Sequence, residues 1–340
     1  MSTAASIDDL LGPASARFFG SGYRAVRHEV RDLVHESGQT GSSQVHGSAS
    51  LSYPPSWSRK GGRALVPHVS SIDAFVLAAQ LAEVLLALSL GLRDEERTRA
   101  WVRSVDLRSG TQPQEDLEAI PLSARVVATS TGPHGPASTV EARVGTLTTV
   151  LVVAHPPGVR GRPVHGPVVL DDLLGPARER YHAGGYTASS QEIVDVELDD
   201  ARGVRAAVVP SADRTARPWR DLGGSYRPSV TFIDAIVGLA QVSEVLLYAL
   251  DAVDRARSHT MWMRRVRLET PVPDVPREPF RTRADLRTAR LVPLHGATWR
   301  AVEMSATYHA YSARYALAHE LPSDGDRTVV RPPVAPGEAA

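Results

Sequence analysis

Two stretches of this 340-residue chain set a carboxylate, an amide and a second carboxylate into the same apolar frame. In SSIDAFVLAAQLAEVLL (70–86) these are Asp73, Gln80 and Glu83; in TFIDAIVGLAQVSEVLL (231–247) they are Asp234, Gln241 and Glu244. An Asp at the entry of a helix has two uses. It accepts hydrogen bonds from the free N–H groups of the first turn, or, beside a substrate, it takes or orients a proton. His68 stands five residues before Asp73 and would complete an acid–base pair, whereas the counterpart position holds Ser229. Tyr226 and Arg227, just ahead of the second helix, suit an oxyanion or phosphate better than proton transfer at neutral pH. The expectation is that Asp73 and His68 do the chemistry, with Asp234, Tyr226 and Arg227 forming a binding or vestigial site. Gln80 and Gln241 follow their Asp by seven residues, nearly on one stripe two turns on, and are candidate substrate-binding groups. All four of Gln80, Gln241, Glu83 and Glu244 are expected to be buried and hydrogen-bonded, because an unpaired buried charge is costly.

A helix apolar nearly all round must be enclosed, and here the chain builds it twice. DDLLGPASARFFGSGYRA (8–25) realigns with DDLLGPARERYHAGGYTA (171–188) at an offset of 163. The helices follow at 161, as does WVRSVDL (101–107) against WMRRVRL (262–268). Three blocks in one order mark a tandem repeat, read as units 7–155 and 168–321 with a linker at 156–167. The Pro-, Gly- and Asp-rich tail 322–340 is expected to be disordered. Each unit combines one long buried helix with strand-like alternation such as SQVHGSASLSY (43–53), an α+β pattern. A highly bent antiparallel sheet wrapped round such a helix is the hot-dog fold. The prediction is a tandem (double) hot-dog, a pseudodimer within one chain, free to pair further as a homodimer.

Composition narrows the function. With 38 basic and 38 acidic residues and no block of like charge, there is no electrostatic footprint for nucleic acid. The chain has no cysteine, which excludes thiol catalysis and Cys-ligated metal and fits a reducing, cytoplasmic setting. No secretory signal is visible at the start, and no apolar run goes uninterrupted for the ~18 residues of a membrane span. H-E-x-x-H, P-loop and G-x-G-x-x-G patterns are missing, so neither a metal nor a nucleotide cofactor is expected. The loop RKGGR (59–63) reads as solvated, or as a contact for a pantetheine phosphate or carrier protein.

The pattern P-x-x-x-x-I-D-A, at Pro67–Ala74 and again at Pro228–Ala235, resembles the start of the central helix in hot-dog dehydratases and A-factor-type acyl-condensing enzymes. There the carboxylate acts on an acyl thioester. Those enzymes carry a glutamine four residues later, where this chain has Leu77 and Gly238, so that residue's role does not transfer. With IDDLLGPASARFFGSGYRA beside the two helices, the chain from about 7 to 320 resembles the AvrD family. The resemblance implies a biosynthetic enzyme of syringolide type, joining a β-ketoacyl thioester, carried by acyl-carrier protein or CoA, to a small hydroxylated acceptor such as a pentulose. A dehydratase or isomerase of an acyl thioester, and a non-catalytic acyl-binding protein, remain open alternatives.

Overall fold

The computed structural model describes residues 2–37, 43–55, 57–60, 63–132, 135–159, 165–200, 202–211 and 218–322. The expected tail beyond 322 and the middle of the linker, 160–164, lie outside the described residues. In chain order the strands are β1 (Ser2–Ser6), β2 (Arg27–Ser37), β3 (Ser43–Ser52), β4 (Arg59–Lys60), β5 (Arg63–Ala64), β6 (Trp101–Arg108), β7 (Ile120–Gly132), β8 (Gly135–Val144), β9 (Leu147–Ala154), β10 (Gly166–Pro167), β11 (Gln191–Asp199), β12 (Gly203–Pro210), β13 (Met261–Glu269), β14 (Phe280–Leu294), β15 (Ala297–Tyr308) and β16 (Tyr311–Glu320). The long helices are α2 (Ser71–Leu90) and α5 (Phe232–Asp251); α1 (Ile7–Leu11), α3 (Asp94–Thr98) and α4 (Leu170–Leu174) are single turns or little more.

All strands but the β4–β5 pair join one antiparallel sheet in the order β1-β11-β12-β14-β15-β16-β13-β6-β9-β8-β7-β3-β2-β10. Read from either end, each strand meets its repeat counterpart at the mirrored position. The pseudo-twofold axis passes where a residue meets its own counterpart. Asp106 pairs with Arg267, its counterpart at 161, in the central β6–β13 ladder. Tyr23 stacks on Tyr186, its counterpart at 163, with ring centroids 6.4 Å apart. Bulges near Val126 and Leu286 bend the long hairpins. The chain is a double hot-dog, α+β, with two copies of a long helix against one bent sheet.

The helices owe their ends to short signals. Ser70 and Asp73 close a capping box at the start of α2, and Thr231 and Asp234 close another at α5. Gly91 and Ala252 end them in the left-handed region. By length and composition either helix could cross a membrane, but here protein encloses them: Phe75, Leu77, Leu81 and Leu85 are fully buried. Each such side chain contributes about 2 kcal/mol of transfer free energy. The helices meet at Phe75 and Phe232, whose rings are 5.6 Å apart.

Packing crosses the repeat. β1 pairs with β11 and α1 packs on α5, while β10 pairs with β2 and α4 packs on α2. A boundary at the 156–167 linker divides the sequence repeats, yet the opening segment of each repeat is seated on the other's helix. This exchange brings Arg17 to α5 and Arg180 to α2.

Candidate active site

At the start of α2 the carboxylate of Asp73 is enclosed. Its Oδ2 accepts from the Ser70 hydroxyl at 2.6 Å, the Ser70 N–H at 2.8 Å and the Tyr53 hydroxyl. Its Oδ1 lies 2.7 Å from His28 Nε2, a residue of β2. Burial alone would raise its pKa; hydrogen bonds from His28, Ser70 and Tyr53 outweigh that and hold it below the ordinary carboxylate range. Asp234 repeats the cap through Thr231, accepting from its N–H and hydroxyl at 2.9 Å each. Where β2 offers His28, β11 offers Gln191, which donates to the Asp234 backbone carbonyl at 2.9 Å. Both aspartates therefore serve as N-terminal caps.

The expected pair of Asp73 with His68 is not brought together: the imidazole on Asp73 is His28. His68 points elsewhere. Its Nδ1 lies 3.0 Å from the Val66 carbonyl, which only accepts, so Nδ1 is the donor there and Nε2 is the nitrogen turned away from that bond. Its ring rests against Trp262 at 4.8 Å and Trp57 at 5.9 Å. Tyr226 donates its hydroxyl to the Arg99 carbonyl at 3.1 Å, and the Arg227 guanidinium lies 3.4 Å above the Tyr181 ring. Gln80 and Gln241 each receive an arginine from the other repeat, Arg180 Nη1 at 3.1 Å and Arg17 Nη1 at 2.6 Å. Four residues after Asp234, Gly238 leaves room for the Tyr308 ring, which a Cβ would meet at 2.3 Å.

What the structure does open is a cavity of about 680 Å³ over α5. Its helix wall runs from Ile236, Leu239 and Ala240 to Ser243 and Glu244, all on one face at helical spacing. Val266 and Leu317 from the sheet extend the apolar part, and Trp57, Trp262 and Trp299 add aromatic wall. His68, Ser70 and Ser71 bring the first turn of α2 to the same cavity. Neither Asp73 nor Asp234 lines it; Glu244 is the one carboxylate that does among the described residues. Arg255 stands 3.8 Å from Glu244, beyond hydrogen-bond reach. Arg17, also in the wall, is buried, which lowers its pKa against the opposing pull of Asp8 and Glu244. Lys60 is tied down by the Tyr248 hydroxyl, the Ser258 hydroxyl and the His259 carbonyl at 2.7–2.9 Å.

The corresponding face of α2 is sealed. Glu83 accepts from Arg97 Nε at 2.9 Å, and Arg97 also donates to the Leu92 carbonyl. His182, counterpart of Phe19 at 163, packs on Phe75 and bonds to Asp221 at 2.8 Å. Burial and the neighbouring Asp221 push the Glu83 carboxyl up, to about 8, against the pull of Arg97 and Arg180. Burial of Glu83 and both glutamines matches expectation. Glu244 departs from it, being half-buried and without a hydrogen bond among the described residues.

Arg17, Glu244 and Arg255 went unrecognised as cavity residues in the sequence. The available signal was the recurrence of Asp8 and Arg17 at Asp171 and Arg180, charged pairs retained at offset 163 for no local reason.

Residues 2–322 match the family described as Pseudomonas avirulence D protein (AvrD). No curated protein matches the sequence. Among solved structures the chain is similar to the acyl-CoA thioesterase II TesB2 of Mycobacterium marinum, at 11% identity and a TM-score of 0.37 over 85% of this chain and 96% of that one. It is similar also to the dehydratase domain of a mycocerosic acid synthase-like polyketide synthase, at 14% identity and a TM-score of 0.36 over 88% and 95%. The GphF dehydratase 1 is another, at 13% and 0.40 over 84% and 96%. The fold itself is read from the strand order above.

Proposed function

The chain belongs to the AvrD family, and from that premise we propose that it is a biosynthetic acyltransferase, condensing a β-ketoacyl thioester with a hydroxylated, sugar-like acceptor in the α5 cavity. The observation that carries this reading is the cavity's composition: an apolar trough with the His68 imidazole beside a helix start in its wall. The acyl chain lies along Ile236, Leu239, Val266 and Leu317. The first turn of α2, fixed by the Ser70–Asp73 cap, directs partial positive charge at the thioester carbonyl. His68 Nε2 takes the proton of the acceptor hydroxyl as its oxygen attacks. A carbon–oxygen bond forms, the carbon–sulfur bond breaks, and the thiolate leaves, taking up the proton that His68 holds. Asp73 acts through Ser70 and is a positioning residue. The division into units 7–155 and 168–321 belongs to the same proposal: duplication left one working cavity and one sealed copy. The thiol is presented on acyl-carrier protein or CoA.

The test is to mix the purified chain with a β-ketoacyl thioester and a ketopentose, following thiol release by absorbance and product by mass. The expected result is an acyl-sugar mass that His68→Gln reduces about 10²-fold or more in kcat. Loss of water from a β-hydroxyacyl thioester instead would establish the dehydratase alternative, and binding without turnover the acyl-carrier one.

A further inference from the structure

Glu83 and Glu244 are the same residue of the repeat, and each has an arginine beside it. On α2 the pair is closed, with Arg97 Nε donating to Glu83 at 2.9 Å. On α5 it stands open. Arg255 Nε is 3.8 Å from Glu244, and the arginine's hydrogen bond runs instead from Nη1 to the Arg59 carbonyl at 3.1 Å. Glu244 makes no hydrogen bond among the described residues, and both side chains line the cavity, 16% and 11% exposed. A carboxylate and a guanidinium held apart in a largely apolar cavity each lack a partner that the protein supplies to the sealed copy.

Lys60 and Arg264 also line the cavity, but between Glu244 and Arg255 it is the charges of that pair that say what fits. A carboxylate or phosphate would meet Glu244, and an ammonium would meet Arg255 and Arg17. A neutral hydroxyl satisfies both sides, donating to Glu244 and accepting from Arg255. Two adjacent hydroxyls, or a hydroxyl beside a ketone, do so with less strain. The apolar α5 residues Ile236 and Leu239 lie roughly two turns and one and a half turns nearer the helix start, so the polar pair is set at one end of the trough.

We propose that Glu244 and Arg255 form the acceptor subsite, recognising a neutral polyol or hydroxyketone through its hydroxyl groups. This rests on the acyltransfer reading and names where its second substrate sits.

The experiment is steady-state kinetics with a β-ketoacyl thioester and a ketopentose, comparing the parent with Glu244→Gln and Arg255→Met, each checked by thermal melt. Losing a hydrogen bond to a charged group is expected to raise the acceptor KM about tenfold or more, with the thioester KM unmoved. A deoxy acceptor should be discriminated against by the parent and much less by Glu244→Gln. Unchanged acceptor KM, or equal shifts in both KM values, would overturn the assignment. A parent without turnover defeats the acyltransfer reading alone, because saturation-transfer NMR with the ketopentose reads the subsite directly. Signal in the parent that Glu244→Gln abolishes keeps the subsite; no signal in the parent sinks it.

Discussion

The two long helices present one side-chain pattern to two surroundings, and the consequences diverge at Glu83 and Glu244. Over α2, His182, Asp221 and Arg97 close on the carboxylate until it is 1% exposed. Over α5, Phe18 and Phe19 stand back, Arg255 reaches only to 3.8 Å, and a cavity remains. Arg97 and Asp221 account for part of the difference, and the opening segment that the other repeat delivers for another part. Tyr181-His182 arrives with an imidazole that bonds to Asp221, and Phe18-Phe19 arrives with rings that pack edge to face at 5.0 Å and line the cavity. The open and the sealed surroundings thus differ in part through the segment that crosses over, while the helices stay alike.

If that comparison is right, the two arginines are not equivalent in stability. Above the Glu83 pKa of about 8, Arg97→Met strands a fully buried carboxylate and should destabilise the fold by about 3 kcal/mol. Arg255→Met leaves Glu244 facing the cavity, where water reaches it, and should change stability by under about 1 kcal/mol. Chemical denaturation of both variants checks this; equal losses would mean that the α5 side is closed as well. The Arg97→Met penalty should also grow with pH, because Glu83 escapes at low pH by taking a proton.

The parent carries the same signature more weakly. A carboxyl whose folded pKa is pushed up to about 8 from 4.5 binds a proton in the folded state that the unfolded state has lost. Stability then falls as pH rises through that window. Asp221 is shifted the opposite way, by His182 against its own burial, so its contribution to stability is present above the ordinary carboxylate range and is lost as pH falls through it. The two titrate as a pair, and the slope belongs to the network. Glu83→Gln should flatten the stability profile between about pH 5 and 8. Parallel profiles for parent and Glu83→Gln would count against a buried, proton-binding Glu83.

Much of this was legible in the sequence, and the failures have physical causes. The repeat and the enclosed helices follow from offsets of 161 and 163 and from the apolar faces. The caps follow as well, since Ser70–Asp73 and Thr231–Asp234 are capping boxes in plain spacing. A repeat cannot tell, however, whether a segment packs on its own unit or on its twin. Arg17 on Gln241 and Arg180 on Gln80 were hidden for that reason. Nearness in sequence also misled at His68. The chain turns just before a helix, so a residue five places before Asp73 faces the cavity, while His28 reaches the carboxylate from 45 residues away.

A small difference between two like losses tests the crossover itself. Gln80 Oε1 accepts from Arg180 at 3.1 Å, and its Nε2 reaches the His182 carbonyl at 3.2 Å and the Val76 carbonyl at 3.4 Å. Gln241 accepts from Arg17 at 2.6 Å but donates only to its own helix, at the Val237 carbonyl, among the described residues. A methionine of similar length keeps the packing and removes the polar end. At Gln80 it leaves both a guanidinium N–H and a backbone carbonyl of the other repeat unpaired in a sealed interior, a loss of about 2 kcal/mol. At Gln241 the orphaned Arg17 group borders the cavity, where water or ligand replaces the amide, so the loss should be nearer ~1 kcal/mol. Double-mutant cycles with Arg180→Met and Arg17→Met isolate the pair energies, and the Arg180–Gln80 coupling should be the larger. Equal couplings would place both glutamines in the same dry environment and remove the distinction between the sealed half and the open one.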